Sequence, residues 1–207
     1  KPLISMKKNA GAARTYAERG HRELLQEPLL DISIPAQRAA EIVGRIRGFV
    51  RQQTPGFQAC TVNEVVNNVL ALMRPEIRHQ QARVIVQLNA ELPAIQADRV
   101  LLEQVVLNLV LNALQAMQDK YPVDKVVRVE TGLQGDMVFI RVSDRGPGIA
   151  APVAEQLFEP FFTTKPEGLG LGLNICRTSV ESHRGRLEFE NAPQGGAIFT
   201  VYLPLES

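Results

Sequence analysis

At 207 residues, with 45% hydrophobic and 22% charged side chains, the chain has the balance of one or two folded domains, which excludes intrinsic disorder. Its 23 basic and 22 acidic residues leave a formal charge of +1, so no global positive field exists to gather nucleic acid. Cys60 and Cys176 are too few for a disulfide framework and lack metal-ligand spacing, and both are expected to be reduced and buried in a cytosolic protein.

In chain order, Leu3, Met6, Ala10, Ala13, Ala17 and Leu24 recur at steps of three and four, the spacing of a helix seam. Ala36, Ala39, Val43, Ile46 and Val50 repeat that pattern after a break. Such a hairpin has too little volume to bury its own stripes. It is expected to pair with a second copy into a four-helix bundle, or else to pack on the domain that follows. Thr54-Pro55-Gly56 punctuates the chain, setting domains at 1–54 and 55–207. Thr61 and Glu64 form a capping box that opens a helix with Val65, Val69, Leu72, Met73 and Ile77 on its buried side. Residues 83–88 alternate as a strand, and Asp98 caps a long helix through Met117.

That helix is apolar enough to suggest a membrane span, but Glu103, Gln104, Asn108, Asn112 and Gln115 interrupt it. Strands are expected at 126–133 and 137–143, turning at Gln134-Gly135-Asp136, then a helix from about Gly172 to His183 and a closing hairpin of 186–190 and 197–203. Alternating helices and strands joined by hairpins predict an α/β two-layer sandwich with a mixed, largely antiparallel sheet.

Three segments carry chemistry. Gln104, Asn108, Asn112 and Gln115 fall on one stripe of the long helix. Asparagine is a weak helix former, so the stripe either meets neighbouring loops or faces a ligand, where an amide oxygen can bind a hard cation. In Asp144-Arg-Gly-Pro-Gly148, a carboxylate at a strand end precedes two glycines. The carboxylate can accept from an exocyclic amine while bare backbone lets a flat ring approach; ordinary turns use the same residues. Gly168-Leu-Gly-Leu-Gly172 opens a helix, as a phosphate cradle or as a hinge.

In this order, and with Leu157-Phe-Glu-Pro-Phe-Phe-Thr-Thr-Lys165 between the second and third, the segments resemble the N, G1, F and G2 boxes of sensor histidine kinases, over residues 61–205. The resemblance implies the ATP-binding fold shared with gyrase, a heat-shock chaperone and a mismatch-repair ATPase. It implies a helical dimerisation and phosphotransfer module in front. ATP or ADP with Mg2+ are the implied ligands. Asn112 matches the magnesium ligand, Asp144 the reader of the adenine amine, and Gly146 and Gly148 the border of the base. Phe158, Phe161 and Phe162 match the aromatic box that anchors a lid. Thr164, Gly168, Leu169, Gly170, Leu171, Gly172 and Thr200 are the further implied nucleotide contacts, and Lys165 a residue within reach of the terminal phosphate. Gln115 departs from the pattern, since many members carry lysine or arginine there.

Asn108 stands where hydrolytic relatives place a glutamate base. An amide cannot take a proton from water, so transfer to a side chain is expected rather than rapid hydrolysis. An ATP-gated conformational machine is the alternative. The implied partners are a second copy, through the N-terminal helices, and a response-regulator receiver domain; nucleic acid and membrane are not expected as partners. The location is expected to be cytoplasmic, which is compatible with a membrane-anchored parent. Lys1-Pro2-Leu3 resembles the end of the family's phosphoacceptor box, so the chain reads as cut from a longer protein just after that histidine. None of His21, His79 and His183 is expected to replace it. Residues 166–171 are expected to be mobile without nucleotide.

Overall fold

The computed structural model describes Tyr16, residues 56–119, Tyr121, residues 124–165 and residues 169–205. The chain divides into two units, Lys1–Gln52 and Gln53–Ser207. The expected helical hairpin, with its dimer seam, lies outside the described residues, as does Gly168.

The described elements run β1 (Gln58–Cys60), α1 (Val62–His79), β2 (Arg83–Leu88), β3 (Ile95–Ala97), α2 (Arg99–Ala116), β4 (Val126–Gln134), β5 (Met137–Ser143), the short α3 (Ala151–Ala154), α4 (Gly172–Ser182), β6 (Arg186–Asn191) and β7 (Ala197–Pro204). Five strands form one sheet in the order β2-β4-β5-β7-β6, and β1 and β3 form a separate pair. Only β2 and β4 run parallel; β4-β5, β5-β7 and β7-β6 are antiparallel. The fold is therefore the expected α/β sandwich with a mixed sheet.

Local chemistry sets these elements. Thr61 accepts from Glu64 N (3.3 Å) at the start of α1, and Asp98 Oδ1 accepts from Val100 N (3.0 Å) and Leu101 N (3.1 Å) at the start of α2. The buried stripe of α1 is Val62, Val65, Val66, Val69 and Met73. Leu72 departs from expectation: it is 70% exposed, because a residue one step before Met73 points about a quarter-turn away from the core. The turn between β4 and β5 is the two-residue Gly135-Asp136, with Gly135 at φ +63.

Val127, Val129, Val138, Ile140, Val142, Phe199, Val201 and Leu203 form the helix-covered face of the sheet. Helix α2 touches both α1 and α4 and packs on the strands below. This explains why it is apolar nearly all round and lacks the usual one-sided stripe. β1 and β3 were not expected, since three residues each are too few to display an alternation.

Candidate nucleotide site

Asp144 follows β5 directly and is buried. Its backbone N donates to Ala197 O (3.0 Å), while its Oδ1 accepts from Gly146 N (2.7 Å) and Ala197 N (3.2 Å). One carboxylate oxygen is thus locked by two backbone donors from β7 and its own loop. Bare backbone is required at this point. A Cβ on Gly146 would lie 2.8 Å from Asp144 Oδ1 and 3.0 Å from Ala116 O, and one on Gly196, at φ +102, would collide with the Asp144 carbonyl. The contact with Ala116, and a bond from Arg145 N to Met117 Sδ (3.4 Å), bring the Asp144 loop to the C-terminal end of α2.

The polar stripe of α2 leads to the same place. Asn108 is buried against α4. On its α4 side lies Cys176, whose thiol burial pushes up to about 12, opposed by the neighbouring Asn108 amide. One turn on, half-buried Asn112 presents Oδ1 to the Lys165 ammonium (3.2 Å), and Gln115 Oε1 accepts from the same ammonium at 2.6 Å.

The segment after the Asp144 loop forms a closed neck. Phe161 N donates to Gly170 O (3.0 Å), with Phe161 at φ +66 and Gly170 at φ +67. A Cβ on Gly170 would collide with the Phe161 backbone. Phe158 meets the edge of Phe189 at 6.1 Å and lies under the Arg177 guanidinium, and its carbonyl accepts from Asn174 Nδ2 (3.1 Å). Phe162 is half-buried, Phe161 is 75% exposed, and Thr164 and Leu169 are exposed. The neck then enters α4 through Leu171 and Gly172. No side chain caps this helix and its first turn has no acidic residue. A Cβ on Gly172 would meet open space.

Asn112, Asp144, Gly146 and Lys165 thus converge around the C-terminal end of α2, with the 170–172 segment following in the same lid-to-α4 stretch as Lys165. Thr200 does not join them. It pairs with Arg141 across the sheet and accepts from Arg141 Nε (3.3 Å), on the face opposite Phe199 and Val201. One contributor escaped sequence reading. Asn191 clamps the loop after Gly148, accepting from Ile149 N (2.7 Å) and donating to Ile149 O (2.8 Å). Gln115, already singled out on the polar stripe, holds Lys165 across a separation of 50 residues, a pairing that no local signal announces.

The residues fit a magnesium–nucleotide pair. An uncapped helix start offers backbone donors to anions, Gly172 leaves the room a phosphate needs, and half-buried Asn112 presents a neutral amide oxygen of the kind a hard cation takes. No cluster of three or more acidic, histidine or cysteine ligands exists among the described residues, so a cation here would draw most of its oxygens from phosphate and water.

Residues 97–207 match the family described as histidine kinase-, DNA gyrase B- and HSP90-like ATPase. The chain is 38% identical over 182 residues to the C4-dicarboxylate transport sensor protein DctS of Rhodobacter capsulatus, covering 88% of this chain and 28% of that protein. It is 34% identical over 208 residues to the sensor protein TdiS of Thauera aromatica, covering 99% of this chain and 38% of that protein. The chain spans well under half the length of these relatives. Among solved structures, the catalytic domain of the histidine kinase ThkA is similar at a TM-score of 0.64 and 31% identity, over 72% of this chain and 96% of that one. ThkA in complex with the response regulator protein TrrA is similar at a TM-score of 0.70 and 25% identity, over 98% of this chain and 59% of that one.

Proposed function

Because the chain belongs to the histidine kinase-, DNA gyrase B- and HSP90-like ATPase family and carries a sensor histidine kinase catalytic domain, we propose that residues 55–207 bind Mg-ATP and deliver its γ-phosphate to a histidine of the whole protein. The phosphate passes on to the receiver domain of a response regulator. A solved complex of the similar kinase ThkA with such a regulator supports that partner. Residues 1–54 pair two copies through their helices, and the division of the chain between Gln52 and Gln53 supports a domain boundary near residue 54. The domain works in the cytoplasm; among the described residues, no helix is long and apolar enough to cross a membrane.

The observation that carries this reading is the locked Asp144 carboxylate. With Oδ1 fixed by two backbone donors, the side chain is held in one orientation at the mouth of a glycine loop. A carboxylate so held accepts from the adenine amine with little ordering cost. Gly146 and Gly148 let the base approach, and the start of α4 receives the phosphates. Phe158 and Phe162 anchor the lid segment, whose Thr164, Leu169, Gly170 and Leu171 close over the nucleotide. Asn112 Oδ1 is the protein ligand for magnesium, which when bound neutralises phosphate charge. Asn108, an amide that takes no proton from water, keeps ATP intact until the histidine arrives.

Calorimetry with Asp144→Asn tests this. The amide oxygen can still accept from Gly146 and Ala197, so the fold persists, while its NH2 presents a donor to a donor. Mg-ATP affinity should fall at least about tenfold. Unchanged affinity would sink the assignment, and GTP binding the wild type as well as ATP would count equally against it.

A further inference from the structure

Gln115 and Lys165 stand 50 residues apart and meet at 2.6 Å. We infer that Gln115 is the positioning residue that sets the Lys165 ammonium as the phosphate-facing cation of this site. This deepens the nucleotide reading and rests on it.

The need for a cation follows from the helix. Gln115 lies in the last turn of α2 and Asn112 just before it, at the negative end of the helix dipole, and that turn holds no basic residue of its own. A polyphosphate placed there meets an unfavourable field unless a positive charge is brought in from elsewhere. Lys165 is that charge. The amides of Asn112 and Gln115 are neutral acceptors, so they fix the ammonium without cancelling it. The two holds are unequal. At 2.6 Å Gln115 makes the short, charge-assisted bond, and at 3.2 Å Asn112 makes a longer one. Asn112 Oδ1 can therefore be surrendered to a metal ion while Gln115 still retains the lysine nearby. Positions 112 and 115 share one helix face, which gives the amide pair a common reach toward the lid. Lys165 is further steadied by its own turn, its backbone N donating to Thr163 Oγ1 (3.1 Å).

The test is a double-mutant cycle on the whole chain, with calorimetric affinities for Mg-ATP and Mg-ADP. Lys165→Met should weaken ATP by about tenfold and ADP by much less, since the charge serves the terminal phosphate. Gln115→Leu should weaken ATP by a smaller factor and add nothing in the Lys165→Met background. Moving the charge, with Gln115→Lys and Lys165→Gln together, should restore most of the ATP preference. Additive losses, equal losses for ATP and ADP, or no recovery in the swapped variant would each overturn the role of Gln115. If the wild type gave no binding heat with either nucleotide, the nucleotide reading itself would fail, a result distinct from an additive cycle.

Discussion

Gly170 and Gly172 are indistinguishable as letters in a glycine-rich run, yet the structure gives them opposite duties. At φ +67, with the Phe161 backbone where a Cβ would go, Gly170 is required by the protein itself. Gly170→Ala should open the bond from Phe161 and weaken Mg-ATP at least about tenfold, while the melting temperature moves little because the neck lies outside the core. Gly172 has open space around it and opens a helix. Gly172→Ala should therefore stabilise the fold by up to ~1 kcal/mol while weakening nucleotide binding, a split that thermal melts and calorimetry would read directly. Sequence reading found both glycines because composition and position before a helix are local signals. It could not separate them, since the sign of φ and the nearest neighbour depend on where Phe161 returns.

Between elements, the clearest lesson is His183. As a helix-ending residue it reads in sequence as structural or solvated, and not as a substitute phosphoacceptor. It is in fact buried: Nδ1–H donates to Ser179 O (2.7 Å), Nε2 accepts from Asp98 N (2.9 Å), and the ring lies 5.0 Å from that of Phe57. With both nitrogens engaged, it ties the end of α4 to the start of α2 and offers nothing to a phosphate. His183→Ala removes the acceptor for Asp98 N and leaves a cavity, and should cost about 2–4 kcal/mol in urea unfolding. Binding of Mg-ATP to the folded fraction should be unaffected, because the clamp sits at the end of α2 remote from Asn112. Helix caps and the β4–β5 turn were legible because their chemistry spans three or four residues. The β1–β3 pair and the Asp98–His183 bond were not, because each depends on partners dozens of residues apart.

At the scale of the molecule, one core among the described residues spans the sheet and its three long helices, and Cys176 lies inside it. The unfolded thiol ionises near 9.0 and the folded one near 12, so the folded state holds the extra proton between these values. Its contribution is complete below pH 9 and is lost as pH rises toward 12, at up to ~1.4 kcal/mol per pH unit. Burial pushes the Cys60 thiol up as well. Cys176→Ala should flatten the alkaline fall in denaturant midpoint relative to wild type, and an unchanged profile would show the thiol to be irrelevant. The neck between Phe161 and Gly170 has a different kind of consequence. It is closed by a main-chain bond, so the neck itself dictates neither the identity nor the number of the residues beyond Lys165, the one that Gln115 and Asn112 hold. Doubling such a loop costs only about 0.6 kcal/mol in closure entropy. Beyond Phe162 and Lys165 the lid can therefore be rewritten by insertion or exchange while the base-reading pocket stays unaltered, so how the nucleotide is covered and how it is recognised are free to evolve on separate clocks.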